Sequence, residues 1–219
     1  MAASGGTGSA NGVAMRWWHA SAPHPGPGLA VTPSGSGLER PPRAVVSVLE
    51  PAAVALPRRQ RGVLVGDWRE LATRLRLTFK DPALLRQALV HTSYLNENPG
   101  IDVGSNERLE FLGDAALGGV VAQELYREYP DVDEGKLTEL RAHLVRRDTL
   151  ARAAARFDLG EYLHLGRGED AAGGRKRPTN LARAYEALVG AIFLDGGLTK
   201  VRAFVKRTLK PELSGLRTG

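Results

Sequence analysis

Residues 106 to 119 read NERLEFLGDAALGG, which sets Glu107, Glu110 and Asp114 into a stretch otherwise made mostly of Leu, Phe, Ala and Gly. At about 100° per residue, a helix gathers the three carboxylates into an arc of roughly 60°. Leu109, Phe111, Leu112, Ala115, Ala116 and Leu117 spread over most of the remaining circumference, so the expectation is a buried helix, acids included. Two carboxylates about 4 Å apart repel by roughly 4 kcal/mol at an effective dielectric of 20, before desolvation is counted. A cation must therefore answer them, either Lys or Arg partners in an ion-pair cluster or a divalent metal held for chemistry.

Composition limits both alternatives. The chain has 219 residues, long enough for one well-buried domain with an appendage. It contains no Cys, which excludes disulfide frameworks, thiolate metal sites and Cys nucleophile chemistry. No apolar run approaches the roughly 18 residues of a membrane span. The net charge of +6 suits an acidic partner such as nucleic acid. Up to Gly66, however, Arg16, Arg40, Arg43, Arg58, Arg59 and Arg61 face only Glu39 and Glu50, so most of the excess lies in that segment. In the remainder, local clusters must carry any argument for nucleic acid.

Residues 1 to 62 are rich in Ala, Gly, Ser and Pro, have no acid before Glu39, and show no sustained helical or strand period. They are expected to be disordered. Arg-bearing and acid-poor, MRWWHASAPHPGPG followed by PRRQRG has the composition of an organelle-targeting presequence, for a mitochondrion ahead of a chloroplast.

From Asp67 onward the punctuation is helical. Asp81 and Pro82 form an N-cap and N1 pair opening DPALLRQALVHTS, and Asn98-Pro99-Gly100 marks a loop. A long helix is expected from Asn106 to Glu128. Asp133 can cap EGKLTELRAHLV, Asp148 can cap TLARAAARF, and Thr179 or Asn180 opens LARAYEALVGAIFL before Gly196 and Gly197 stop it. A last helix is expected from Thr199 to Leu209. With no alternating strand pattern in competition, the fold class is all-α.

The helix NLARAYEALVGAIFLDGG repeats the opening puzzle. Leu181, Ala182, Tyr185, Leu188, Val189, Ile192 and Phe193 nearly surround it, yet Glu186 lies within that surface, and Gly190 allows a neighbour to approach closely. A single buried Glu is more often paired than catalytic. Acids converging from two facing helices instead suit an oxygen-ligand site for Mg²⁺ or Mn²⁺.

The stretch NERLEFLGDAALG closely resembles the signature of the ribonuclease III family. The likeness extends through LTFKDPALLRQALVHTSYLNEN upstream and PDVDEGKLTELRAHLV and GGRKRPTNLARAYEALVGAIFLDGG downstream. It implies a ribonuclease III domain over residues 67 to 213, all-helical and forming a homodimer. Such a domain cuts double-stranded RNA with Mg²⁺ or Mn²⁺ in RNA processing, ribosomal RNA being one candidate substrate. On that resemblance Glu110, Asp114 and Glu186 are catalytic metal ligands, Glu107 and Glu134 support the site or bind metal, Phe111 is a knob inserted into the partner subunit, and Arg175, Lys176 and Arg177 form a basic loop near the RNA. Arg146 and Arg147 are further candidates for phosphate contact. His91, His143 and His164 have no metal-ligand spacing and read as structural.

One position departs from the family. Its motif reads Leu-Ala-Asp where this chain reads Leu181-Ala182-Arg183. A guanidinium cannot ligate a metal and stays charged. Two expectations follow: a nuclease weakened at Arg183, or a non-catalytic RNA-binding or ribonucleoprotein component in which Arg183 pairs with Glu110, Asp114 or Glu186. A heterodimer whose other subunit supplies an intact site is a further possibility. The double-stranded-RNA-binding domain that often follows in this family is expected to be missing.

Overall fold

Helix capping along the chain follows short polar side chains. Asp67 accepts from the Arg69 N–H to open α1 (Trp68–Arg74), and Asp81 accepts from the Ala83 N–H to open α2 (Pro82–Ala88), with Pro82 at the first turn where its missing N–H costs nothing. His91 Nδ1 caps α3 (Thr92–Glu97) by accepting from the Ser93 N–H. After the loop through Pro99 come α4 (Glu107–Glu128) and α5 (Glu134–Val145), the second capped by Asp133. Then follow α6 (Arg147–Ala155), the short α7 (Arg167–Ala171), α8 (Pro178–Thr208) and α9 (Lys210–Gly215), with 3₁₀ turns at Leu159–Tyr162 and Gly174–Lys176.

These elements come from a computed structural model that describes residues 59–60 and 63–216. The expected presequence over residues 1 to 62 lies outside the described residues, apart from Arg59 and Gln60. Those two pair antiparallel with Val63–Leu64, Arg59 opposite Leu64, in a two-residue ladder that the sequence pattern did not suggest. The fold is otherwise all-α. No helix among the described residues is long and apolar enough to cross a membrane.

The core is built on α4 and α8, with α6 packed along α8 and α2 against it. Leu117, Val121 and Leu125 of α4 meet Tyr185, Leu188, Ile192, Phe204 and Val205 of α8, and Leu150, Ala153 and Ala154 close the third side. Each fully buried Leu or Phe stabilises the fold by about 1.5–3 kcal/mol relative to exposure. The Tyr185 hydroxyl, also buried, bonds Thr208 Oγ1 at 2.6 Å.

Two starts differ from expectation. α6 begins one residue before Asp148, which sits in its first turn, where a carboxylate still favours the helix dipole. α8 begins at Pro178 with Arg177 at the cap position, while the Asn180 amide donates to Glu169 and to the Gly174 carbonyl. The expected stop at Gly196-Gly197 is present within α8: Gly197 adopts φ 70°, ψ −174°, and a second helical segment follows to Thr208, close to the last helix expected from Thr199 to Leu209. Asp195 anchors this break, accepting from the Lys80 and Asp81 N–H groups at 2.7 and 2.9 Å and pairing with Lys200 at 2.7 Å. Burial pushes its carboxyl pKa up, but Lys200 and the two backbone donors hold it below the usual range.

Candidate active site

Glu107, Glu110, Phe111 and Asp114 recur at three- and four-residue intervals on α4, and Arg183 and Glu186 do so on α8, so each helix presents its set on one face. Together these six side chains line an open depression of about 440 Å³. The two helices are locked at this point by glycine. A Cβ on Gly113 would lie 1.8 Å from the Glu186 carbonyl oxygen, and one on Gly190 would lie 2.1 Å from the Leu109 carbonyl oxygen. Backbone thus meets backbone directly beside the carboxylates, which fixes Glu186 opposite Glu110 and Asp114.

The depression is electrostatically loaded. Burial raises the Glu186 pKa to about 7, with Asp114 and Glu110 adding to the rise and Arg183 opposing it. Burial also raises Glu110; Arg183 opposes this, and Glu107 and Asp114 reinforce it. Arg183 Nε lies 3.4 Å from Glu110 Oε1. Ser105 Oγ donates to Glu107 at 2.9 Å.

Four expectations change. α4 is not buried all round: its covered face is Leu109, Gly113, Ala116, Leu117, Val120, Val121 and Leu125, whereas Glu107 and Asp114 are exposed, Glu110 and Glu186 are half-buried, and Phe111 is 81% exposed. One chain covers only one side of the helix. Glu134 does not line the depression; it opens α5, exposed, and accepts from Thr138 Oγ1 at 3.0 Å. Arg175 is buried, with Nε and Nη2 on Asp170 and Nη1 on the Gly160 and Leu163 carbonyls, so four of its five N–H groups are engaged within the fold. Arg177 pairs with Glu169, leaving Lys176 as the exposed member of the basic triplet without such a pair.

None of the histidines lines the depression, although His91 lies near enough to feel the charges of Arg183 and Glu107. His91 caps α3, His143 is exposed on α5, and His164 is buried with its pKa lowered to about 4 by burial and by Arg175. Arg146 and Arg147 are exposed beside Thr149 and Asp148. The sequence reading missed an apolar groove of about 460 Å³ between α4 and the α8 break, lined by Leu112, Ala115, Gly119, Val120, Phe193 and Leu198 among others. Its signal was present in the apolar side chains on the second face of α4.

An all-helical core whose two central helices present carboxylates to one open depression defines a class, and the profile of the Ribonuclease-III-like family matches residues 81–213. The chain belongs to the ribonuclease III family. It is 50% identical over 152 residues to Ribonuclease 3 of Dehalococcoides mccartyi strain CBDB1, covering 69% of this chain and 64% of that protein. Ribonuclease 3 of Roseiflexus sp. strain RS-1 is 46% identical over 149 residues, with 67% and 63% covered. The chain therefore spans a little under two thirds of the length of these relatives. Among solved structures, the nuclease domain of ribonuclease III from Campylobacter jejuni superposes with a TM-score of 0.62 at 35% identity, covering 67% of this chain and 98% of that one. That structure is described as flexible in a region involved in dimer formation.

Proposed function

We propose that this protein is a ribonuclease III-type endoribonuclease, hydrolysing phosphodiesters of double-stranded RNA in RNA processing. The observation that carries this reading is the convergence of Glu110, Asp114 and Glu186 from two glycine-locked helices on one open depression. Among the described residues no three acidic or imidazole side chains form a ready-made metal cage, so a metal would require the carboxylates to turn inward. In kind, the donors fit Mg²⁺ or Mn²⁺: they are hard oxygen ligands, and the raised Glu186 pKa comes first from burial and then from the charges of Asp114 and Glu110, which Arg183 opposes. When bound, such an ion supplies Lewis-acid activation of water and neutralisation of charge at the phosphate. Glu110, Asp114 and Glu186 would hold it, and Glu107, fixed by Ser105, adds negative potential at the rim.

The active form in this reading is a homodimer. Phe111 stands almost fully exposed, and an apolar groove runs along the same helix, the complementary pair that a two-fold interface requires. A second reading, a non-catalytic RNA-binding or ribonucleoprotein component, draws on the contact of Arg183 with Glu110 at a position where the family motif carries Asp.

Incubating the full chain with a uniform RNA duplex and Mg²⁺ or Mn²⁺ separates the two. The nuclease reading expects cleavage to products with short 3′ overhangs, abolished in Glu186→Gln. RNA binding without cleavage would establish the second reading.

A further inference from the structure

Five arginines of this domain are committed to the fold. Arg74, Arg156, Arg167, Arg175 and Arg177 each donate hydrogen bonds to a carboxylate, and all but Arg167 to a backbone carbonyl as well. Arg183 is not among them. Its contact with Glu110 is an ion pair at 3.4 Å through Nε, and none of its N–H groups makes a hydrogen bond within the described residues. Its side chain is 51% exposed against 23% for Glu110, so the guanidinium lies on the solvent side of the carboxylate it faces.

That arrangement has a consequence for a polyanionic substrate. The depression is lined by four carboxylates and a single cation. A phosphate backbone entering it meets repulsion everywhere except at Arg183, whose planar donors match two phosphate oxygens at once. With Glu107 counted, the acids outnumber Arg183 by three, so Arg183 is the one lining side chain that attracts a phosphate.

We infer that Arg183 binds a phosphate of the RNA at the mouth of the depression. The inference rests on the reading of this depression as an RNA-cleaving site. Arg183 is thereby a substrate-binding residue standing where the family motif has an acid.

One binding measurement on the full chain tests it: fluorescence anisotropy follows binding of a short duplex RNA with Ca²⁺ in place of Mg²⁺, across a series of salt concentrations, with RNA integrity checked on a gel. Arg183→Gln should weaken binding on the order of tenfold and lower the slope of log affinity against log salt by about one per chain. Arg183→Lys, which preserves the charge and guards against loss through misfolding, should keep the slope and lose only part of the affinity. An unchanged salt slope in Arg183→Gln would overturn the inference. Binding that responds to Arg183 in a protein that does not cleave removes the nuclease reading and leaves the phosphate contact standing. Normal cleavage with an indifferent Arg183 does the reverse.

Discussion

Arg175 grips Asp170 in a two-pronged ion pair, Nε to Oδ1 at 2.9 Å and Nη2 to Oδ2 at 3.0 Å, while its third nitrogen ties the Gly160 and Leu163 carbonyls to the same point. The pair closes the turn between α7 and α8. Removing one partner leaves the other charge and two carbonyls buried without a donor, at a cost of about 3–5 kcal/mol. Arg175→Ala should therefore lower the denaturation midpoint sharply. Lys176→Ala, one residue on and exposed, should change stability by no more than about 0.5 kcal/mol. Equal stability of the two variants in urea titrations would contradict the clasp.

Gly113→Ala places a methyl within 1.8 Å of the Glu186 carbonyl oxygen, a backbone atom in the middle of a helix that cannot turn aside. Separating α4 from α8 to accommodate it should cost about 3 kcal/mol, the upper end for overpacking. It also moves Glu186 away from Glu110 and Asp114. The expected result is a lower melting temperature together with loss of RNA cleavage, whereas Gly118→Ala, which meets nothing within 4 Å, should leave melting nearly unchanged.

Glu186 makes the metal-free protein sensitive to pH. Its folded pKa, near 7, lies above the ordinary carboxylate value, so the folded state retains a proton that the unfolded chain has already released. The stabilising contribution is full below about pH 4.5 and is lost as pH rises through 7. Solvent screening of this partly exposed group limits the effect to about 1 kcal/mol. Thermal melts in EDTA from pH 5 to 8 should show this decline in the wild type and a flatter profile in Glu186→Gln. Parallel profiles would exclude Glu186 as the titrating group.

Phe111→Ala removes the most exposed large apolar side chain among the described residues. If it is an anchor of the proposed dimer, truncation should cost about 2 kcal/mol of association, roughly a 30-fold weaker dimer. Sedimentation velocity over a concentration series reads this directly. An unchanged monomer–dimer midpoint would remove Phe111 from the interface.

Local chemistry was the legible part of this sequence. Asp81 before Pro82, Asp133 before Glu134 and the glycine pair at 196 and 197 each act through neighbouring backbone, and the structure places caps and a break there. Gly190 likewise declared a close approach, since no other residue tolerates a carbonyl at that distance. What stayed hidden depends on partners distant in the chain or in space. Arg175, Lys176 and Arg177 look alike as a run of basic letters, and only the fold-back of Glu169 and Asp170 decides which of them is buried. The acids of α4 looked buried because apolar residues surround them in projection, but one chain supplies covering for only one side. Glu134 matched by order along the chain, and within one chain it opens α5 and accepts from Thr138 without joining the lining of the depression.

The break at Gly197 changes what insertions can do. In an unbroken helix each added residue turns everything beyond it by about 100° and advances it by about 1.5 Å, so a single insertion near Glu186 would swing that carboxylate out of phase with Glu110 and Asp114. Past Gly197 the phase starts afresh, with Asp195 pinning the preceding half to the α1–α2 connection. The register of Glu186 is therefore independent of the helical phase beyond Gly197, and what ties the second segment to the first is side-chain contact, Lys200 on Asp195 and Thr208 on Tyr185.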